Sequence, residues 1–156
     1  MKISAGLLMC SKKEGELLYF LVHPGGPYHA NKNDGSWGIP KGLTEENEDA
    51  EMAAQREFEE ETGIVPAGPY YALDFVKMKS GKLIYAWSFI GMWNPEQGIR
   101  SNMISLEWPI RSGKFIMIPE VDRAEWMAFD KASRMIHSAQ LPFLERARQY
   151  YEHAMK

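Results

Sequence analysis

The sequence predicts an α/β (α+β) fold in which a mixed central sheet is covered by helices. Segments rich in β-branched and aromatic residues lie on both sides of a central amphipathic helix, and helical patterns close the chain. Strands before and after a helix indicate a mixed sheet with helices packed on its faces. A length of 156 residues suits one domain with a substantial core, and we find no repeat or linker. We therefore expect residues 1–156 to form a single domain.

The first half of the chain predicts a strand pair, a long loop and the central helix. Residues 3–10 and 17–23 are strand candidates, separated by a polar turn at residues 11–15. Glycines and prolines then predict a loop over residues 24–42, and loops of this length are usually functional or disordered. The helix is expected over residues 47–62, with Asn47 as its N-cap and Gly63 just after its end.

The second half predicts a hairpin, two short strands and further helices. Residues 72–78 and 82–93 are expected to pair around a turn at Ser80 and Gly81. Irregular sequence follows, leading to strand candidates at residues 115–118 and 124–129. Helical patterns begin near residue 130 and again near residue 140.

Composition excludes several classes of function. No apolar run is long enough to span a bilayer and the chain begins without a signal peptide, so we expect a cytoplasmic protein that does not bind membranes. The net charge of −3 argues against broad nucleic-acid binding. Cys10 is expected to be a buried strand residue, and the sequence has no zinc-ligand spacing, phosphate-binding loop or dinucleotide fingerprint. The oligomeric state is left open.

The most informative segment is REFEEETG, residues 56–63, with four carboxylates in five consecutive positions. At about 100° per residue, one stripe of the predicted helix carries three alanines and three glutamates. These are Ala50, Ala53, Ala54, Glu57, Glu60 and Glu61. Glu51, Gln55 and Glu59 lie on the opposite face. Because alanines are expected to face the sheet, the glutamates on the same stripe should extend inward.

Two interpretations of this acidic cluster are open. Charged residues at a helix end are most often a solvated face. However, carboxylates in the last turn face the negative end of the helix dipole, which costs about 0.3–1 kcal/mol each. Like charges three and four residues apart also repel. Several unfavourable choices at one place indicate a functional site, and clustered oxygen ligands suit Mg²⁺ or Mn²⁺.

The wider spacing matches a known motif. Residues 42–64 fit the pattern G-x5-E-x7-R-E-U-x-E-E-x-G-U, where U is a bulky aliphatic or aromatic residue. The matching residues are Gly42, Glu48, Arg56, Glu57, Phe58, Glu60, Glu61, Gly63 and Ile64. This segment resembles the Nudix box, and the preceding WGIPKG is similar to the family's usual lead-in. The resemblance implies an α/β/α sandwich and hydrolysis of a nucleoside diphosphate linked to another group.

The resemblance also implies roles for individual residues. Glu57, Glu60 and Glu61 would hold the metal ions, with the backbone carbonyl of Lys41 as a further ligand. Arg56 would orient the glutamates through charge-assisted hydrogen bonds. The motif positions Gly42, Glu48 and Gly63 would have structural roles, with Gly42 allowing the loop to turn tightly into the helix.

The general base is left open between the box and a downstream carboxylate. Glu57 is our first candidate, because it lies in the motif. Some relatives recruit a carboxylate from a later loop, and Glu120 is the best candidate there, both as the base and as a further metal ligand. Glu107 is a weaker alternative, because the motif gives it no support.

The substrate is only coarsely predicted. Lys41, Trp37, Arg111 and Lys114 are candidate substrate-binding residues. The expected partner is a small nucleotide, and nucleoside triphosphates and dinucleoside polyphosphates are the first substrates to test. A nucleotide-binding sensor or scaffold without catalysis and an RNA 5′-end pyrophosphohydrolase are the alternatives.

Overall fold

The computed structural model describes residues 3–154. The strands in this range are β1 (Ile3–Lys13), β2 (Glu16–Pro24), β3 (Lys41–Leu43), β4 (Tyr71–Lys77), β5 (Leu83–Ile90), β6 (Met103–Glu107), β7 (Phe115–Pro119) and β8 (Val121–Met127). The helices are α1 (Ala50–Thr62), α2 (Phe129–Met135) and α3 (Leu141–Ala154), with short 3-10 helices at Pro95–Gln97 and Ser138–Gln140.

Strand β1 organises the main sheet, whose order is β4-β5-β1-β2-β8. It runs parallel to β5 and antiparallel to β2 and β3, so the predicted mixed sheet is confirmed. The two halves of β1 have different partners on one side. Residues 4–6 pair with β3, and residues 10–13 pair with β2. Strands β6 and β7 form a separate two-stranded ribbon.

Helices cover both faces of the sheet. Helix α1 packs on one face, where its alanines and Phe58 join side chains of β1, β2 and β5 in one buried cluster. Helices α2 and α3 contribute Ala132, Phe143 and Leu144 to a second cluster on the opposite face. Burying a phenylalanine or leucine side chain contributes about 1.5–3 kcal/mol. The three-layer α/β/α arrangement is therefore confirmed.

The first hairpin is longer than its hydrophobic pattern indicates. The predicted polar turn at residues 11–15 is mostly strand, and only Glu14 and Gly15 lie between β1 and β2. Both have positive φ angles, 53° and 82°. Two-residue hairpin loops favour this conformation because it matches the twist of the flanking strands. The strand ends are solvent-exposed here, which explains their polar sequence.

The start of α1 differs from the prediction and its end agrees with it. Asp49, not Asn47, is the N-cap, and its carboxylate accepts a hydrogen bond from the Met52 N–H. Asn47 has a φ of 63° and belongs to the preceding loop. At the other end, Gly63 has a φ of 78° and donates its N–H to the Glu59 carbonyl at 2.8 Å. Gly63 is thus the predicted helix-terminating residue.

Strand boundaries account for the other differences. The strand predicted over residues 82–93 ends at Ile90, and the one predicted from residue 124 begins at Val121. Strand β6 was predicted as irregular sequence. Its side chains include Met103 and Ile104, which are exposed, so the residues lack the alternation that a half-buried strand produces.

Two predictions from composition can be compared with this fold. Cys10 is fully buried on β1, and burial raises the pKa of its thiol to about 12, as expected for an interior strand residue. Among residues 3–154, no helix is long and apolar enough to cross a membrane.

Candidate active site

Helix α1 presents two of its glutamates to the interior. Glu57 and Glu61 are buried, with 8% and 4% of their surface exposed, on the side where Ala53 and Ala54 pack on the sheet. Glu60 is exposed, so the prediction that it shares this inward stripe is wrong. The buried face is rotated toward Phe58, whose large side chain enters the core and turns Glu60 to the margin.

Arg56 lies at the centre of the acidic cluster. Its guanidinium donates to both carboxylate oxygens of Glu48, from Nε at 2.8 Å and from Nη2 at 3.0 Å. Nη1 donates to Glu57 at 2.9 Å and to Glu60 at 3.2 Å, while Nη2 also reaches the Leu43 carbonyl. These bonds lower the pKa of Glu48 to about 2 and raise the pKa of Arg56, chiefly through the hydrogen bonds to Glu48. The Arg56 guanidinium thus fixes the orientation of the Glu48, Glu57 and Glu60 carboxylates.

The loop ahead of α1 packs directly on Glu57. Gly42 pairs with Ala5 of β1, and this pairing fixes the position of β3 beside α1. A Cβ atom at Gly42 would lie 2.1 Å from Cδ of Glu57, so any larger residue here would force the Glu57 carboxylate to move. Gly42 lies within strand β3 and not in a tight turn into the helix, so the expected turn is wrong, and the absence of a side chain at Gly42 instead allows the close approach of the Glu57 carboxylate.

Glu61 carries an unsatisfied carboxylate. Its Oε2 atom is buried and has no hydrogen-bond partner within the described structure. Burial raises the pKa of Glu61 to about 9, and the charge of Glu120 adds to this shift, while Lys41 opposes it. Burial also raises the pKa of Glu57, with Glu60 and Glu120 contributing in the same direction. Burial therefore disfavours the ionised forms of Glu57 and Glu61 in the metal-free protein, and a bound cation would favour them.

A cavity of about 240 Å³ opens beside Glu61. Its walls include Trp37, Ile39, Lys41, Glu61, Glu120 and Gln140. The loop at residues 37–41, strand β3, helix α1 and the β7–β8 junction all meet here. Four of the residues singled out from the sequence, Trp37, Lys41, Glu61 and Glu120, thus lie at one cavity.

Arg111 and Lys114 do not line this cavity. They lie in the turn between β6 and β7, where the Glu107 carboxylate accepts the N–H groups of Arg111 and Gly113 at 3.2 and 3.1 Å. Glu107 is thereby engaged in shaping the turn. The substrate-binding role of Arg111 and Lys114 stays a prediction.

The donor set suits a hard divalent cation. Within residues 3–154, no three His, Cys, Asp or Glu side chains are already gathered in a metal-binding arrangement. The reason is visible in the contacts, because Glu60 and one oxygen of Glu57 face Arg56. The free oxygen of Glu61, the burial of Glu57 and the nearby Glu120 nevertheless leave a concentration of oxygen donors lacking positive charge. Such a set fits Mg²⁺ or Mn²⁺.

Two residues near the cavity were not found from the sequence. The Gln140 side chain accepts the Ile39 N–H at 2.9 Å and so holds the loop that carries Lys41. The Asn102 amide donates to Glu120 at 3.0 Å. Neither lies in a motif, and both meet their partners through contacts distant in sequence, so no local signal marked them.

Known proteins share both the domain and the fold. The sequence model of the NUDIX domain matches residues 2–151. Three solved structures are similar to this chain at 16–19% identity, which supports a shared fold. Comparison with curated proteins finds no match.

The structural similarity extends over nearly the whole chain. The Nudix domain of Shewanella oneidensis NrtR complexed with ADP ribose has a TM-score of 0.67 and 16% identity, over 96% of this chain and 87% of that one. A C. elegans Ap4A hydrolase has a TM-score of 0.66 and 18% identity, over 98% and 99%. A mutT/nudix family protein from Listeria innocua has a TM-score of 0.65 and 19% identity, over 99% and 96%. With the domain match covering residues 2–151, the chain belongs to the Nudix hydrolase family.

Proposed function

We propose that this Nudix hydrolase uses a divalent metal to cleave the pyrophosphate linkage of a nucleoside triphosphate or dinucleoside polyphosphate. The observation that carries the proposal is the unsatisfied, buried carboxylate of Glu61 beside Glu57 and Glu120. A buried acidic cluster without enough cations is unfavourable on its own and becomes favourable when a cation binds. We also propose that residues 1–156 act as one Nudix domain.

In this proposal Glu57, Glu60, Glu61 and the Lys41 carbonyl hold Mg²⁺ or Mn²⁺, with Glu120 as an additional ligand. The cation supplies positive charge that neutralises pyrophosphate oxygens and makes an attacking water more acidic. Glu60 would have to exchange its contact with Arg56 for this role. Its exposed position leaves it free to do so.

The remaining residues position the substrate and accept the proton. Arg56 keeps Glu48 and Glu57 in fixed orientations, which reduces the rearrangement needed on binding. The Lys41 ammonium, close enough to Glu61 to oppose its pKa shift, offers a positive charge to a phosphate entering the cavity. The raised pKa of Glu57 suits a general base, since a carboxylate with a pKa nearer neutrality accepts protons more readily.

The named relatives support the substrate class. The NrtR domain binds ADP ribose, and the C. elegans enzyme is an Ap4A hydrolase. Both compounds contain a nucleoside joined through linked phosphates to a second group. This is the chemical pattern that we propose for the substrate here.

Two alternatives lead to different results in the same assay. A nucleotide-binding protein without catalysis would bind nucleotides and release no product, and an RNA 5′-end pyrophosphohydrolase would prefer RNA. Acidic net charge argues against nucleic acid, but NrtR also has a structure complexed with a 27mer DNA, so nucleic acids belong in the test.

The test is a substrate panel with Mg²⁺ and with Mn²⁺. It contains nucleoside triphosphates, dinucleoside polyphosphates, nucleotide sugars, ADP ribose and triphosphorylated RNA, with product identity read by chromatography. Glu60→Gln and Glu61→Gln should each reduce turnover by about 100-fold or more, as expected for loss of a metal ligand rather than of an outer partner. Glu59→Gln is the matched control, because Glu59 is exposed on the same helix. Tight nucleotide binding without any hydrolysis would favour the binding protein instead.

The general base requires a separate comparison. Glu57→Gln and Glu120→Gln should be compared by pH–rate profile and by Mn²⁺ affinity. The variant that loses turnover while retaining Mn²⁺ affinity identifies the base. If both variants keep full turnover, neither residue is the base.

A further inference from the structure

We propose that Asn102 is a positioning residue that holds the Glu120 carboxylate toward Glu61 and ties it to the end of α1. This inference rests on the proposed function and adds to it a residue outside the Nudix box. Asn102 lies just before β6, in a segment that the motif does not cover.

Three hydrogen bonds of Asn102 reach the two sides of the site. Its side-chain Nδ2 donates to Glu120 Oε1 at 3.0 Å. Its backbone carbonyl accepts the Glu120 N–H at 3.0 Å, and its own N–H donates to the Glu60 carbonyl at 2.8 Å. Asn102 therefore bridges the last turn of α1 and the β7–β8 junction.

The neighbours of Asn102 keep this bridge in place. The Arg100 N–H donates to the Thr62 carbonyl at 2.8 Å, and the Ser101 hydroxyl accepts the Val121 N–H at 3.0 Å. Arg100 and Ser101, the two residues that precede Asn102, thus each bond one of the two elements that Asn102 connects. On the other side of Asn102, Met103 pairs with Pro119 of β7, so the Asn102 backbone is held before and after this residue and its side chain can hold Glu120 in a defined orientation.

The neutral amide of Asn102 orients the Glu120 carboxylate without offsetting its negative charge, which a cationic side chain would do. Arg56 orients Glu48, Glu57 and Glu60 with hydrogen bonds from a positively charged guanidinium, which offsets part of their negative charge. The Asn102 amide occupies one oxygen of Glu120 without cancelling its charge, so the carboxylate keeps its attraction for a metal ion. Outer partners that orient ligating carboxylates typically contribute 10–100-fold to metal affinity.

The test is a double-mutant cycle on Mn²⁺ binding. The Mn²⁺ affinity of each variant is measured by calorimetric titration of the protein with Mn²⁺ alone. Asn102→Leu keeps approximate size and removes the donor, and it should weaken Mn²⁺ binding by about 10–100-fold. The double variant Asn102→Leu/Glu120→Gln should bind Mn²⁺ no more weakly than Glu120→Gln alone, because the Asn102 amide acts through the Glu120 carboxylate. Asn102→Asp, which has the same shape but places a second carboxylate against Glu120, should also weaken binding.

Asn94→Leu is the matched control. Asn94 caps the neighbouring 3-10 helix by accepting the Glu96 N–H at 3.0 Å and has no contact with Glu120 among those described. The Asn94→Leu variant should retain Mn²⁺ affinity. Without metal, Asn94→Leu and Asn102→Leu should have similar free energies of unfolding. Additive effects of the Asn102 and Glu120 substitutions, or unchanged affinity in Asn102→Leu, would overturn the inference.

The same titrations separate this inference from the proposed function. If the wild type binds Mn²⁺ and Glu61→Gln does not, the metal centre stands, and an unaffected Asn102→Leu rejects only the positioning role. If the wild type does not bind Mn²⁺ at all, the metal centre and the role of Asn102 are both rejected.

Discussion

Gly42 and Glu57 are in direct steric contact, since a Cβ atom on Gly42 would lie 2.1 Å from the Glu57 carboxylate carbon. Gly42→Ala should therefore displace Glu57 and reduce turnover by about 100-fold, as misplacement of a catalytic group by about 1 Å can do. Overpacking at this position should also reduce the free energy of unfolding by about 1–3 kcal/mol. Turnover and urea unfolding measure the two effects.

The second half of this prediction is tested by relieving the contact. Gly42→Ala should cost much less stability in a Glu57→Ala background, because the clashing carboxylate is gone. An equal loss of stability in both backgrounds would contradict the steric explanation.

Glu48 should give the protein part of its resistance to acid. Its hydrogen bonds with Arg56 lower its pKa from 4.5 to about 2, so its stabilising contribution is complete above about pH 4.5 and is lost as the pH falls toward 2. Glu48→Gln should be less stable than wild type at pH 6, and the difference in free energy of unfolding should disappear near pH 2. Chemical unfolding at several pH values measures this. A difference that is constant with pH would show that the charge of Glu48 is not its cause.

Glu61→Gln should separate metal binding from folding. Because burial raises the pKa of Glu61 to about 9, its carboxyl is mostly neutral at pH 7 in the metal-free protein, and a neutral glutamine should be tolerated. A cation at 100 times its Kd should stabilise the wild type by about 2.7 kcal/mol and the variant by almost nothing. Thermal unfolding with and without Mg²⁺ checks both statements. A variant that Mg²⁺ stabilises as strongly as the wild type would remove Glu61 from the ligand set.

His23 should anchor the loop that leads to the cavity. Its fully buried ring contacts Asp122 through Nδ1 at 2.8 Å and the Lys32 carbonyl through Nε2 at 2.6 Å. His23→Asn should reduce the free energy of unfolding by about 1–3 kcal/mol, because the buried ring loses its hydrogen bonds to Asp122 and to the Lys32 carbonyl. Trypsin should then cleave after Lys32 faster than in the wild type, because the loop opens more often. His153→Asn, at an exposed position of α3, should not change the cleavage rate.

The central helix and its carboxylates could be predicted because their information is local. Helical periodicity places Glu57 and Glu61 on the inward face and Glu59 outside it, as observed. It failed for Glu60, because the exact direction of the buried face depends on how Phe58 fits between β1, β2 and β5. Local spacing therefore locates a helix face to within about one residue.

The other wall of the site depends on tertiary contacts. Glu120 reaches the cavity through the pairing of β2 with β8, and Asn102 reaches Glu120 through the segment that precedes the β6–β7 ribbon. Strand β6 lacks a clear hydrophobic alternation, so the ribbon and its contacts could not be read from the sequence. For the same reason, Asn102 could not be identified from the sequence as the hydrogen-bond partner of Glu120.

The register of the β6–β7 ribbon has an evolutionary consequence. Met103 faces Pro119, so Asn102 and Glu120 are the pair that follows at the base of the ribbon. Residues added in equal numbers to both strands, or a new turn in place of residues 108–114, would leave that pair facing each other. The ribbon is thus a segment that mutation can lengthen, shorten or rebuild while the carboxylate at its base stays where it is.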